Sequence, residues 1–361
     1  MAPNLFGTSA TLYLEASQQN IHQGKSTAEK ANNQELLVEK SSNTEPSYEW
    51  KIVWRNVIAF TYLHAGAIYG LYLSFISIKL LTTIWVAVMI LCSGLGITAG
   101  AHRLWAHRTY KAKWPMRFLL MVLQTMAFQN HIYEWVRDHR VHHKFTDTNA
   151  DPHNAKRGFF FSHMGWLLIR KHQDVITVNY HFSLYLLLVP LLCFAFPVLV
   201  PCYFWNETLF NSWYSTLIRY TLTLHGTWLV NSAAHIWGVK PYDKNIGPTE
   251  NKGVAIVAFG EGWHNYHHVF PWDYKAAELG NYKTNLTTAF IDFCARLGLA
   301  YDMKTVPVEA IKRRATRTGD GTKYNKHDDS HHIHADMKWG WGDTDMKPEE
   351  IQEINIINKS D

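Results

Sequence analysis

The sequence of 361 residues carries 35 Lys and Arg against 30 Asp and Glu, a formal net charge of +5, and 21 His. So mild a charge, with no dense basic tract, excludes nucleic acid as a partner and suits a surface that meets anionic headgroups or a phosphate-bearing substrate. Only four cysteines occur (Cys92, Cys193, Cys202, Cys294), far apart and without a CxxC pair, which excludes a disulfide framework and a cysteine zinc site.

Residues 1–48 are polar and are expected to form a mobile tail. No apolar signal-peptide core stands there, so targeting is expected to come from the first membrane span. Apolar blocks over about 53–78 and 80–101 are each long enough to cross a bilayer core of about 30 Å. Block 118–128 is too short, is interrupted by Gln124, and is expected to be interfacial or re-entrant. The third span, about 184–205, contains Pro190, Pro197 and Pro201, which membrane helices tolerate. The fourth, about 213–237, is weaker because it holds Arg219 and His225; Arg219 is expected to snorkel from near its start. The 15 Trp, 18 Tyr and 18 Phe suit interfacial belts around these spans. A single domain is expected over 49–320, followed by a polar tail over 321–361 with a His-rich patch (His327, His331, His332, His334) that is weak as a metal motif.

Four spans put both termini on one side. The region 102–171 is rich in Lys and Arg, whereas the turn at 206–212 has none, so that region and both tails are expected on the cytoplasmic face. The expected fold is an all-α integral membrane protein: four transmembrane helices in two hairpins under a cytoplasmic helical cap. Asn206-Glu207-Thr208 is a glycosylation sequon on the far side, too close to the membrane for ready use.

The histidines cluster as HRLWAH (102–107), HRVHH (139–143) and HNYHH (264–268). In the second and third, the i, i+3, i+4 spacing sets all three imidazoles on one helix face, about 5–6 Å apart at Cβ. In the first, the i, i+5 spacing turns His107 away from His102 on an ideal α-helix, so one of them is expected past a helix end. His235 closes the fourth span, with Asn231 one turn before it. The four-span topology lets all of these clusters meet at one membrane face. Imidazole suits Zn, Cu, Fe and Ni; nine are too many for one ion and fit two, and zinc lacks redox chemistry. A di-iron centre is expected.

These residues resemble the membrane acyl-CoA desaturase family of the stearoyl-CoA desaturase type, and in detail its insect Δ9/Δ11 branch. The resemblance covers about 50–320 and is carried by GITAGAHRLWAH (96–107), FQN (128–130), EWVRDHRVHHKFTDTNADPHN (134–154), RGFFFSHMGWLL (157–168), TWLVNSAAHIWG (227–238) and GEGWHNYHHVFPWDYKAAELG (260–280). It implies iron ligands at His102, His107, His139, His142, His143, His235, His264, His267 and His268, with Asn231 acting through a bound water. It implies O2-dependent insertion of a cis double bond at a mid-chain position of a saturated fatty acyl-CoA, Δ9 or Δ11, in the endoplasmic reticulum membrane. Electrons would come from cytochrome b5 and its NADH-dependent reductase, because the sequence shows no nicotinamide, flavin or haem signature of its own.

The resemblance further implies that Gln129, Trp135 and Thr227 line the bend of an acyl tunnel, and that Asn56, Asn130, Arg137, Asp138, Arg170, Lys171 and Trp228 hold the CoA headgroup. Ile90 and Gly94 match the blind end of the tunnel, where a small Gly94 implies room for a long chain. One departure is a shortened stretch, HQDVITVNYHFS, between Lys171 and the third span. It keeps a catalytically impaired homologue among the alternatives, and the histidine boxes alone also allow a related acyl hydroxylase or conjugase.

Overall fold

The computed structural model describes residues 51–170, 183–278, 281–324, 340–342, 346 and 348–359. The chain is mostly helical. Helix α1 (Trp54–Ile76) turns directly into α2 (Leu80–Leu95), which continues without a break as a π-helix over Gly96–Ala106. A short α3 (Trp114–Ala127) and α4 (Ile132–Lys144) follow, then α5 (Phe159–His163). Helix α6 (Ser183–Val189) passes through a π-helical stretch, Pro190–Ala195, into α7 (Phe196–Trp205). Helix α8 (Leu209–Asn231) breaks at Ser232 before α9 (Ala233–Ile236). Small helices α10 (Lys252–Val257) and α11 (His264–Val269) precede α12 (Leu286–Arg296) and α13 (Val308–Thr318).

Among the described residues, three helical segments are long and apolar enough to cross a membrane: Trp54–Ile76, Leu80–Ala106 and Tyr185–Trp205. Helix α8, expected at 213–237, instead spans Leu209–Asn231, and His235 lies on the separate α9. It is as long as α1, at 23 residues, but more polar. It packs against α1 through two glycines: a Cβ at Gly66 would lie 2.4 Å from Leu217 Cδ1, and one at Gly70 would lie 2.6 Å from the Tyr214 carbonyl. Small residues of this kind let helix backbones approach closely. Helix α3 has 14 residues, about 21 Å at a rise of about 1.5 Å each, with Met116, Leu120 and Leu123 buried and Trp114 and Phe118 exposed. Its length and two-faced pattern fit an interfacial helix.

The prolines of α7 explain two polar contacts. Pro197 and Pro201 cannot donate to the carbonyls one α-turn back, Cys193 and Pro197. Those acceptors are satisfied from other helices: Arg219 donates to the Cys193 carbonyl and Trp85 Nε1 to the Pro197 carbonyl at 3.1 Å. Arg219 is therefore 0% exposed and also donates to the Met126 carbonyl at 2.9 Å. It does not snorkel, because backbone oxygens inside the bundle compensate its burial.

At the end of the bundle opposite the histidines, Glu207 ties the α1–α2 turn to the α7–α8 turn. Its carboxylate accepts from Lys79 N (2.9 Å), Thr82 Oγ1 (2.7 Å), Thr208 N (3.0 Å) and Asn211 Nδ2 (3.0 Å). At the histidine end, strand β1 (Lys111–Ala112) pairs with β2 (Ala300–Tyr301), and β3 (Met303–Thr305) with β4 (Asn355–Ile357), both antiparallel. Tyr110, Met116, Leu120, Tyr274, Ile291, Cys294 and Ala300 form the core that fixes α12 beneath the π-helix. Beyond 320, where a polar tail is expected, β4 lies on β3 and Trp341 N donates to the His107 carbonyl at 3.0 Å. The His-rich patch at 327–334 and Lys171 fall outside the described residues.

Candidate metal centre

The π-helix resolves the odd spacing of the first histidine cluster. Its backbone bonds run from residue i+5 to i, as from His107 N to the His102 carbonyl at 3.0 Å, so positions five apart lie nearly above one another. His107 caps the helix, as expected of a residue past its end, and its ring centroid is 4.7 Å from that of His102.

The nine boxed histidines converge, but as two groups. His102, His107, His139, His143 and His267 bring one ring nitrogen each within 4.8 Å of one another, and so do His142, His235, His264 and His268. Each HxxHH box straddles both groups. Its i, i+4 pair stays together (His139 with His143, His264 with His268), while the i+3 residue goes to the other group (His142, His267). Single-face spacing therefore predicts convergence correctly, but the extra rotation of the i+3 position divides the set. His143 and His268 stack across the divide at 4.0 Å.

The contacts within each group run between Nε2 atoms. They measure 2.9 Å for His102–His267, 2.8 Å for His107–His139 and 3.1 Å for His143–His267. In the second group, His235–His264 and His264–His268 are both 3.1 Å. Ligands about 2.1 Å from one ion stand about 3.0 Å apart at right angles, so these separations fit donors around common points. The buried Nε2 of His142 has no hydrogen-bond partner and belongs to the second group. Burial, then mutual repulsion, holds His139, His143, His264, His267 and His268 well below the ordinary imidazole pKa. They are neutral, with lone pairs free for a metal. The donor set fits two ions that favour imidazole.

Carboxylates stand behind three of these rings. His102 Nδ1 meets Glu261 Oε2 at 2.8 Å, His142 Nδ1 meets Asp151 Oδ1 at 2.9 Å, and His235 Nδ1 lies 3.5 Å from Asp147 Oδ1. Such partners fix the tautomer and leave Nε2 as the ligand atom. Burial alone would raise Glu261, but Arg103, with His102, holds it down at about 2. Asp151 is likewise held at about 2, against burial, chiefly by His142. Sequence reasoning missed Glu261, Asp151, Asp147 and Arg103. The available signal was an acidic residue within a few positions of the second and third boxes, Asp147 and Asp151 after His143 and Glu261 before His264, since ligating histidines commonly donate to one.

A largely apolar cavity opens from the histidines. His102, His139, His264 and Asn231 line its polar end; Trp135, Thr227 and Val230 follow, and Ile90 and Gly94 line the far part. Gln129 borders it by donating to Thr227 Oγ1 at 3.0 Å. The cavity walls do not include Asn56, Asn130, Arg137, Asp138, Arg170 or Trp228. Asn56 donates to the Leu167 carbonyl at 2.7 Å, and buried Trp228 packs in the same cluster as Leu167. Asn130 has a left-handed backbone, Arg137 pairs with Asp138 at 2.8 Å, and Arg170 is exposed. Gly94 does not leave open space for a chain: the ring of Phe259 fills it, 2.0 Å from where a Cβ would stand. His64 and His225 lie outside the centre, joined to each other at 3.1 Å and through His225 to His163 at 2.9 Å.

Comparison with known proteins agrees with this geometry. The family model "Fatty acid desaturase" matches residues 78–279. The Acyl-CoA Delta-9 desaturase of Acheta domesticus is 56% identical, the match covering 97% of this chain and 97% of that protein. The Acyl-CoA Delta12-desaturase of the same species is 57% identical, over 89% and 90%. The (11Z)-hexadec-11-enoyl-CoA conjugase of Bombyx mori is 54% identical, over 75% and 87%.

Proposed function

The chain belongs to the fatty acid desaturase family, and from that premise we propose that it inserts a cis double bond into a saturated fatty acyl-CoA, at Δ9 or Δ11, within the endoplasmic reticulum membrane. The observation that carries the reading is the pair of imidazole groups at the mouth of an apolar cavity. Two iron ions, when bound, supply the redox chemistry that takes two hydrogens from adjacent methylenes and reduces O2 to water. His102, His107, His139, His143 and His267 would hold one ion. His142, His235, His264 and His268 would hold the other, with Asn231 completing that set through a water.

The remaining work falls to the protein. Glu261, Asp151 and Asp147 keep protons on Nδ1 and point the Nε2 lone pairs inward. The apolar walls exclude water and orient the acyl chain past the histidines, with Trp135, Thr227 and Gln129 shaping its bend. Arg137, Arg170 and Lys171, with Asn56, Asn130, Asp138 and Trp228, receive the CoA headgroup at the charged face. The basic residues of 102–171 support a cytoplasmic cap, and α8 serves as the fourth span, which keeps both termini cytoplasmic. Electrons arrive from cytochrome b5 and its NADH-dependent reductase.

Expression in desaturase-deficient yeast tests the proposal. New unsaturated acyl chains, with the bond position mapped by gas chromatography and mass spectrometry, are expected; none from intact, iron-loaded protein would reject it. The Bombyx mori relative favours one second reading, conjugation of an already unsaturated chain, which the same chromatogram would reveal as a diene.

A further inference from the structure

Among the cavity-lining residues, Phe259 is the one whose side chain is placed there by an unfavourable backbone. It follows α10 with φ 56°, in the left-handed region that a bulky side chain rarely adopts. Strain of this kind persists where surrounding structure holds it, often at ligand clamps. Here two hydrogen bonds hold it: Thr287 N donates to the Phe259 carbonyl at 3.1 Å, and Gly260 N to the Ala255 carbonyl at 2.7 Å. The conformation carries the ring across to α2, over Gly94. A Cβ at Gly94 would lie 2.0 Å from Phe259 Cε2 and 2.6 Å from Cδ2, so only glycine admits the ring. The ring stays half-buried because its other face lines the cavity.

Position along the cavity gives this ring its consequence. Gly94 precedes His102 by eight residues on one continuous helical segment, about 12 Å at most for the α-helical rise of about 1.5 Å. Phe259, seated on Gly94, therefore lines the part of the cavity that α2 reaches before His102, in a wall shared with Leu222 and Ile90. It also belongs to the short loop that carries Glu261 and leads into His264, so the wall of the cavity and the metal centre share one rigid segment.

We propose that the Phe259 ring, seated on Gly94, sets the length of acyl chain that the cavity accepts. The inference rests on the acyl-CoA desaturase reading and adds a specificity-determining residue to it. Gly94 accordingly acts as the seat of that ring, and the free depth belongs to the aromatic side chain.

Phe259→Ala removes the ring and should extend the cavity. Yeast microsomes carrying wild type, F259A and F259L would be given myristoyl-, palmitoyl-, stearoyl- and arachidoyl-CoA, with products and iron content measured together. The ratio of longest to wild-type-preferred product should rise at least about tenfold in F259A, since one methylene in an apolar pocket is worth about 10-fold or more. Gly94→Ala should push the ring into the cavity and move preference to shorter chains, whereas G94A/F259A should regain the longer ones, a non-additive pair. Thermal protection of the purified proteins by the same acyl-CoAs reads binding without turnover and should show the same order. If wild type desaturates but F259A and F259L keep its chain-length profile with full iron content, Phe259 is packing only and the inference is overturned. If F259A does not accumulate, an unchanged profile in F259L together with additive behaviour of G94A/F259L overturns it equally. Wild type that binds iron but yields no unsaturated product would instead bring down the desaturase reading itself.

Discussion

Glutamine at position 261 would keep the shape of the side chain and remove its charge. Glu261 Oε2 lies 2.8 Å from His102 Nδ1, and Oε1 accepts from Arg103 Nη2 and Nε at 2.8 and 3.1 Å. A glutamine amide must point its NH2 at one of these donors, and either orientation sets a donor against a donor. Facing His102, it drives the proton from Nδ1 to Nε2, the atom that meets His267 Nε2 at 2.9 Å. Losing a partner of this kind lowers metal affinity by about 10–100-fold. Facing Arg103, it leaves a guanidinium that is 0% exposed with only neutral acceptors, the Tyr274 carbonyl, Thr288 and Asn285. One-sided removal from a buried ion pair costs about 3–5 kcal/mol, and those remaining acceptors put E261Q near about 3 kcal/mol. The assay is iron per chain by mass spectrometry, with thermal unfolding in detergent of the same preparation. At limiting iron, one ion should be lost before the other, and the melting temperature should fall by several degrees. Full iron content with an unchanged melting temperature would refute the role given to the carboxylate.

Single alanines at His143 and His264 should each empty one group and abolish desaturation, with iron per chain falling toward half in both; retained activity in either would break the two-group assignment. Glu207→Ala removes an acceptor of four hydrogen bonds far from the histidines and should cost about 2–4 kcal/mol. It should lower the melting temperature with iron content intact, and lost iron would contradict it. Burial pushes the Glu250 carboxyl, which accepts from Tyr266 N, up to about 8. A raised carboxyl pKa means that the folded protein keeps a proton the unfolded chain releases near pH 4.3, so stability should decline between about pH 4.3 and 8. E250Q should flatten that decline and melt higher than wild type at pH 8; parallel melting curves would falsify the assignment.

The convergence of the boxed histidines and the apolar blocks could be read from sequence because both signals are local. Box spacing reports a helix face, and block length reports a crossing. What could not be read depended on residues far apart in the chain. The snorkelling expected of Arg219 failed because Pro197 freed a carbonyl on another helix, a match no local window contains. The end of α8 at Asn231 follows from a backbone break at Ser232 that composition does not announce. The i, i+5 spacing of the first cluster suits the wider turn of a π-helix as well as it suits a helix end. Gly94 read alone meant space, and only its neighbour Phe259, from a different segment, shows that space to be filled.

The division of the histidines also governs how a molecule of this protein comes into being. The first group needs His267 and the second needs His264 and His268, so both depend on the last box to be synthesised. Neither can be completed until the box at 264–268 has left the ribosome, although His102 through His143 are synthesised long before. In the interval the nascent chain presents a half-built nest of imidazoles while α6 to α8 are still being placed. A metal pair held by these groups would thus be a seal on finished assembly, one that a chain stalled before its last box could not acquire.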